Sequence, residues 1–413
     1  MRLDQAQAIV PPLEEKAREI YTEAIERAWA AYRELGALLQ PVTREVLGDI
    51  WDLDRKNSEK RVQRVTQQAV KKAIEIARYT LPVAAATTMV HTLSGIVLHR
   101  LYRMCHTGDT PYEAALVVKE MVERVKEVDP QFFERVGQAP LEEEKLPEPG
   151  LMPARSNGAA AAEFDRLLGG RVSRLVDYSP QAESVAAQAL RFILGVSESE
   201  MSDDEALRRL LDPAVNRYRL ETLNVLSHAP MMRALNHAHY TFCKKISHTA
   251  DSQDQRHRTV PASRPLLAAY DSPHPDFITP MLIRQNAAAR SRYEQAMEEA
   301  WAYKQKLLEL GVRPEFALYL LPNAVAVRLV ESGTLIHLMH KWTMRTCFNA
   351  QEEIYFASME ELEQVRTVHP RLGRYMGPPC VVRTGNAYPV CTEGSHFCGV
   401  RVWKDFPNIE RRI

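Results

Sequence analysis

The sequence predicts an α+β protein dominated by helix, and three features carry that expectation. Apolar residues recur at helical spacing through most of the first 130 positions. Two segments with β-type alternation follow, "RVSRLVDY" and "HAHYTFCKKIS", and helical texture returns from about residue 281. A chain of 413 residues is long for one core, so two domains are expected. Lys and Arg number 53, as do Asp and Glu, a balance that argues against a generalised nucleic-acid or membrane-surface binder. No charged-then-apolar leader and no membrane-length apolar run is visible, which implies a soluble, cytoplasmic protein. The six cysteines are scattered or grouped near the end, unlike a disulfide scaffold.

In chain order, "LEEKAREIYTEAIERAWAAYREL" places Ile20, Ala24, Ala28 and Ala31 or Tyr32 on one helical face, with charges opposite. "SEKRVQRVTQQAVKKAIEIARYTLP" is a second helix that Pro82 stops. A third runs from Thr110-Pro111 through "YEAALVVKEMVERVKEV" to Asp129-Pro130. Residues 139–160, rich in Pro, Glu and small residues without a period, read as a linker. Beyond it, "RVSRLVDY" is a strand, with Ser179 as N-cap and Pro180 as first residue of the next helix. Ser202 and Glu205 form a capping-box pattern. "HAHYTFCKKIS" is a further strand. The expected division is therefore a helical part over 1–138, the linker, an α+β domain over 161–378 and a Cys-containing tail over 379–413.

An internal repeat links the two halves. "YTEAIERAWAAYRELG" echoes "YEQAMEEAWAYKQKLLELG", Arg103 and Cys105 match Arg345 and Cys347, and Glu113 to Pro130 repeats the spacing of Glu353 to Pro370. The first copy has no counterpart of the strand-bearing stretch and carries an extra segment at about 38–70.

The run Arg256-His257-Arg258 repels itself unless an anion or an electron-rich ring lies against it. It reads either as a solvated surface run or as a binding site. Arg345 and Arg103 fit a charge-stabilising role or packing between helices. His237, His239 and His340, among apolar neighbours, fit core histidines as well as ligands. The basic helix bearing Arg55, Lys60, Arg61 and Lys71 is taken as a solvated face, with nucleic acid unlikely as a partner. Cys380, Cys391, His396 and Cys398 have the residue types of a zinc site but no Cys-x-x-Cys knuckle, so no metal is assigned.

The stretch "HAHYTFCKKISHTADSQDQRHR" resembles the flavin-dependent thymidylate synthases, which place His, then Thr-Phe, then Gln three residues before Arg-His-Arg. His237, Thr241-Phe242, Gln253 and Arg256-His257-Arg258 fill those positions. Downstream, Leu321-Pro322, Arg345, Ala350-Gln351 and Glu353-Ile354 match the family's Leu-Pro, Arg and Ala-Gln-x-Glu-Ile elements. The resemblance spans about 165–378 and, through the repeat, extends weakly over 9–137. It implies reductive methylation of dUMP to dTMP, with FAD as cofactor and methylene-tetrahydrofolate and NADPH as co-substrates. It also implies a homo-oligomer, here a dimer presenting a pseudo-tetramer. A non-catalytic scaffold that keeps the fold is the alternative.

By that resemblance Arg256, His257, Arg258, Thr241 and His340 would contact the flavin, since guanidinium groups give bidentate donors to phosphate. Gln253 would meet the uracil edge, and Arg345 would stabilise charge developing on the pyrimidine. The family's Glu-x-Ser-x-Arg segment, which grips the phosphate of dUMP, is replaced by "TVPASRPLLAAYD", leaving Ser263 and Arg264 as its polar candidates. Arg78 and Arg103 of the first copy complete the expected substrate contacts.

Overall fold

The first half is built on one long helix, α1 (Glu15–Ile50), whose stripe of Tyr21, Trp29, Tyr32, Leu35 and Leu39 is buried. In this computed structural model, which describes residues 7–55, 58–136, 140–152, 158–221 and 225–413, that stripe meets α2 (Glu59–Ala77). Ala73, Ile76 and Ala77 of α2 share one apolar core with α1 and with residues 282–324 of the second half. Burial of aromatic and aliphatic side chains at this joint is the dominant stabilising term. Helices α3 (Gly95–Arg103) and α4 (Tyr112–Val128) form a small satellite around Leu98, Val122 and Phe133.

The halves also exchange backbone bonds. Val83 N donates to Leu321 O at 2.8 Å and Asn323 N to Leu81 O at 2.8 Å, while Ala84 N donates to Tyr319 O at 3.0 Å and Ala324 N to Tyr79 O at 2.9 Å. Side chains repeat the exchange: the Tyr79 hydroxyl donates to Glu353, and that of Tyr319 to Glu113.

The second half holds an antiparallel four-stranded sheet of order β1-β2-β4-β3. It is preceded by α5 (Ala159–Leu168). The strands are β1 (Ser173–Tyr178), β2 (His239–Ser247), β3 (Ala262–Ser263) and β4 (Ala326–Thr334). Two helices, α6 (Ala182–Leu194) and α7 (Asp203–Leu211), cover one side. Along β2, Tyr240, Phe242, Lys244 and Ile246 turn inward at the pleat period of two and face the core.

Four sequence expectations shift. Strand β4 interrupts the helical texture that returns from residue 281; its first four residues are all buried and its buried positions include the charged Arg328 and Glu331, so the sequence does not show the apolar–polar alternation that marks a strand although burial alternates over residues 329–334. Helix α6 begins at Ala182 and not at Pro180, because Ser179 is used in the sheet: its N–H bonds His239 O at 3.0 Å. Ser202 caps α7 by accepting from Glu205 N at 3.3 Å, but the Glu205 carboxylate turns to Arg208 and Arg209 and so does not close a capping box. Part of the expected linker, 140–152, contains a 3-10 turn and one short helix; residues 139 and 153–157 of that stretch lie outside the described residues.

Candidate functional site

Strand β2 ends at Ser247, whose side chain caps the short helix α8 (His248–Asp254) by accepting from Ala250 N at 3.1 Å. The same serine is anchored from below: its N–H and hydroxyl both donate to the buried Glu353 carboxylate at 2.6 Å. Helix α8 thereby holds Gln253 and Asp254 in fixed positions. The chain then turns tightly, with Arg256 N bonding Gln253 O at 3.2 Å and His257 N bonding Asp254 O at 3.0 Å.

Opposite this turn stands α10 (Leu335–Arg345), which follows β4 directly and lies after α9 (Ala287–Glu309). Its last residue, Arg345, donates from Nε to His257 Nε2 at 2.8 Å and from Nη2 to Gln253 O at 3.2 Å. The ring of His340, one turn back, stands edge-on to His257 with centroids 5.9 Å apart. Gln253, His257, His340 and Arg345 are thus one cluster assembled from two distant stretches of chain.

Burial, and secondarily the Arg345 charge, pushes the His257 imidazole down to about 3, and the same two causes depress His340. A neutral His257 accepting at Nε2 carries its proton on Nδ1. Burial also lowers the Arg345 guanidinium, against the pull of Asp254. Arg256 and Arg258 are exposed on the same turn. The cluster therefore offers cationic donors and two neutral imidazoles, a set suited to an anionic ligand with a polar ring edge.

Beneath it lies a buried charge network. Lys341 on α10 bonds Asp254 at 2.7 Å and also bonds Glu331 of β4. Lys244 of β2 bonds Glu331 at 2.9 Å and Glu361 at 2.7 Å, the latter on α11 (Glu352–Val368). None of these five side chains is more than 2% exposed. The neighbouring lysines hold the Asp254 carboxyl well below the usual range despite its burial, whereas burial pushes Glu331 up to about 6. This network is absent from the expectations above. Its signal was a charge at a core-facing position on each of two strands, Lys244 in "HYTFCKKIS" and Glu331 in "AVRLVESGT".

The remaining expected residues are placed as follows. Thr241 on β2 pairs its hydroxyl with Ser332 at 2.9 Å. Ser263 lies on the short edge strand β3, and Arg264 bonds the buried Asp251 of α8 at 2.9 Å. Arg78 opens the 3-10 turn before Leu81-Pro82, and Arg103 ends α3. In the tail, Cys380 lies on α12 (Pro379–Arg383) and His396 in a 3-10 turn. All six thiols are free. Burial, then Cys347, Cys391 and Cys398, pushes the Cys380 thiol up to about 12, so Cys347 joins the tail thiols, a neighbour the sequence did not suggest. Among the described residues no group of three or more His, Cys, Asp or Glu is arranged to hold a metal ion.

The family model described as thymidylate synthase complementing protein matches residues 1–131 and 174–371. A flavin-dependent thymidylate synthase of Saccharolobus solfataricus is 31% identical over 217 residues, covering 51% of this chain and 78% of the relative. One from Sulfurisphaera tokodaii is 32% identical over 218 residues, covering 51% and 79%. One from Clostridium tetani is 28% identical over 243 residues, covering 55% and 92%.

Proposed function

Since this chain belongs to the thymidylate synthase complementing protein family, we propose that it converts dUMP to dTMP with FAD, methylene-tetrahydrofolate and NADPH. The observation that carries the reading is the cluster itself: Arg345 bonds both His257 and the Gln253 carbonyl, bringing together two stretches that are distant in sequence but both lie within the matched residues 174–371. The donor set fits FAD, because exposed Arg256 and Arg258 stand beside two neutral imidazoles on one turn and helix. When bound, FAD supplies the hydride chemistry.

The chain's own residues have three tasks. Arg256 and Arg258 bind anionic oxygens. Gln253 presents a donor and an acceptor to a uracil edge. Arg345, already aimed over the cluster, stabilises negative charge developing on the pyrimidine. Neutral His257 fixes the Arg345 side chain by accepting from its Nε.

The two-part architecture, a helical partial copy over 1–138 ahead of the domain over 161–378, belongs to the same proposal. The reciprocal exchange between segments 79–84 and 319–324 supports it, as do the Tyr79–Glu353 and Tyr319–Glu113 pairs. A dimer would then present four such units. A cytoplasmic enzyme is in keeping with helices among which, over the described residues, none is long and apolar enough to cross a membrane. One observation favours the scaffold alternative: Arg264, a candidate phosphate contact, is bonded to Asp251.

Purified protein titrated with FAD separates the two. Binding that is lost in Arg256→Ala and His257→Ala, with bound reduced flavin reoxidised only when dUMP and the folate are added, supports the synthase. A folded protein that takes up no flavin overturns it.

A further inference from the structure

Arg219 is a buried cation that, among the described residues, forms no ion pair. It lies in the 3-10 turn Arg217–Leu220 and is 8% exposed. Of the five N–H donors of a guanidinium, one from Nη2 reaches Tyr375 O at 2.7 Å, and Nη1 meets the sulfur of Met339, a weak acceptor. Its Nε is buried with no partner. Desolvation pushes the group down to about 10, and among the described residues no carboxylate forms an ion pair with it. An uncompensated buried guanidinium is strongly unfavourable, and such groups gather where a ligand brings the missing charge.

Arg219 lines a cavity of about 170 Å³ whose other walls include Tyr218, His340, Thr343, Arg383 and Thr392. Hydroxyls, a neutral imidazole and a second guanidinium therefore surround the space. Arg383 is held there by bonds to Leu220 O at 2.5 Å and Pro389 O at 3.0 Å. Two carboxylates, Glu221 and Glu393, also reach the wall, and Glu393 is bonded by Asn349 at 3.2 Å. The cavity is smaller than the roughly 300–1,000 Å³ of pockets that enclose a whole ligand, so it suits one anionic group. His340 belongs both to this cavity and to the cluster with His257. A ligand whose ring lies at the cluster could therefore set a phosphoryl group against Arg219.

We propose that this cavity is a phosphoryl-binding subsite anchored by Arg219. The ligand, a flavin or pyrimidine nucleotide, rests on the function proposed above, whereas the anion site does not. Bidentate contact to a dianionic oxygen pair would supply the charge that the folded chain withholds from Arg219.

The test is calorimetric titration of the full-length protein with inorganic pyrophosphate, then with the pairs FAD and riboflavin, and dUMP and deoxyuridine. Parent protein is compared with Arg219→Met and Arg219→Lys. The expected result is pyrophosphate binding weakened roughly ten- to a hundredfold in Arg219→Met. Arg219→Lys, which keeps the charge without the fork, should lie between, and it decides the matter if the Met variant does not fold. The nucleotide pair whose preference for the phosphorylated member disappears identifies the source of the phosphate. The ligand-free Met variant should also melt higher than the parent, since an unpaired buried charge has gone. Pyrophosphate that fails to bind the parent, or binds both variants unchanged, overturns the subsite. If neither flavin nor nucleotide binds but pyrophosphate binding still depends on Arg219, the subsite stands and the synthase reading falls.

Discussion

His257 shows how a single side chain is set by what surrounds it. Burial and the Arg345 charge hold its imidazole at about 3, far below the ordinary 6.5. Below pH 6.5 the unfolded chain takes up a proton that the folded chain refuses, so stability falls as pH drops from 6.5 toward 3. Two outcomes follow: His257 should keep one NMR tautomer signal without titrating between pH 5 and 8, and His257→Asn should flatten the acid side of the stability profile. A His257 titration midpoint above 6 would contradict the buried arrangement. The identity of this residue was legible in the sequence, because Arg-His-Arg follows Gln253 at fixed spacing. Its partner was not: nothing local indicates that Arg345 Nε points at His257 Nε2, since the two meet only after β4 and α10 have packed. Arg219 was equally hidden, because an arginine in "NRYRLE" reads as surface until burial is known.

At the scale of elements, the sheet and α10 are joined to α8 by the buried charges. Two ammonium groups, Lys244 and Lys341, face three carboxylates, Asp254, Glu331 and Glu361. Lys341→Met leaves one cation against three anions and is expected to cost about 3–5 kcal/mol of stability by chemical denaturation. Glu331→Gln leaves two against two and should cost about 1 kcal/mol. Equal losses from both would show that geometry, not charge balance, governs the network. Glu331, raised to about 6 chiefly by burial, adds stability below about pH 4.5 that is lost as pH rises through 6, and Glu331→Gln should remove that slope. Helices α1, α2 and α4 were readable from their 3.6-residue period, and β1 and β2 from alternation and aromatic content. Strand β4 was not, because charged Arg328 and Glu331 occupy buried positions and its last residues are Ser-Gly-Thr, so the pattern of burial is not a pattern of hydrophobicity.

Across the whole molecule, the halves hold each other through equivalent contacts of unequal depth. Tyr79 reaches Glu353, which is buried and also anchors Ser247 beneath α8, whereas Tyr319 reaches the less buried Glu113. Tyr79→Phe should therefore cost about 1–3 kcal/mol and weaken ligand binding at α8, with Tyr319→Phe milder on both counts; thermal melts and flavin titrations of the two variants check this. The matched spacings that suggest a repeat lie in the sequence, but the contacts of Tyr79 and Tyr319 across the halves needed the tertiary arrangement, since spacing does not say which side chains meet. The measurement that tests the synthase reading most directly is formation of dTMP from dUMP in a single turnover. Protein, reduced FAD, dUMP and methylene-tetrahydrofolate are mixed and quenched, with the parent set beside Arg345→Met. The expected result is product in the parent and a roughly hundredfold slower rate in the variant, the loss expected when one charge-stabilising donor is removed. No dTMP from a parent that binds both FAD and dUMP would contradict it.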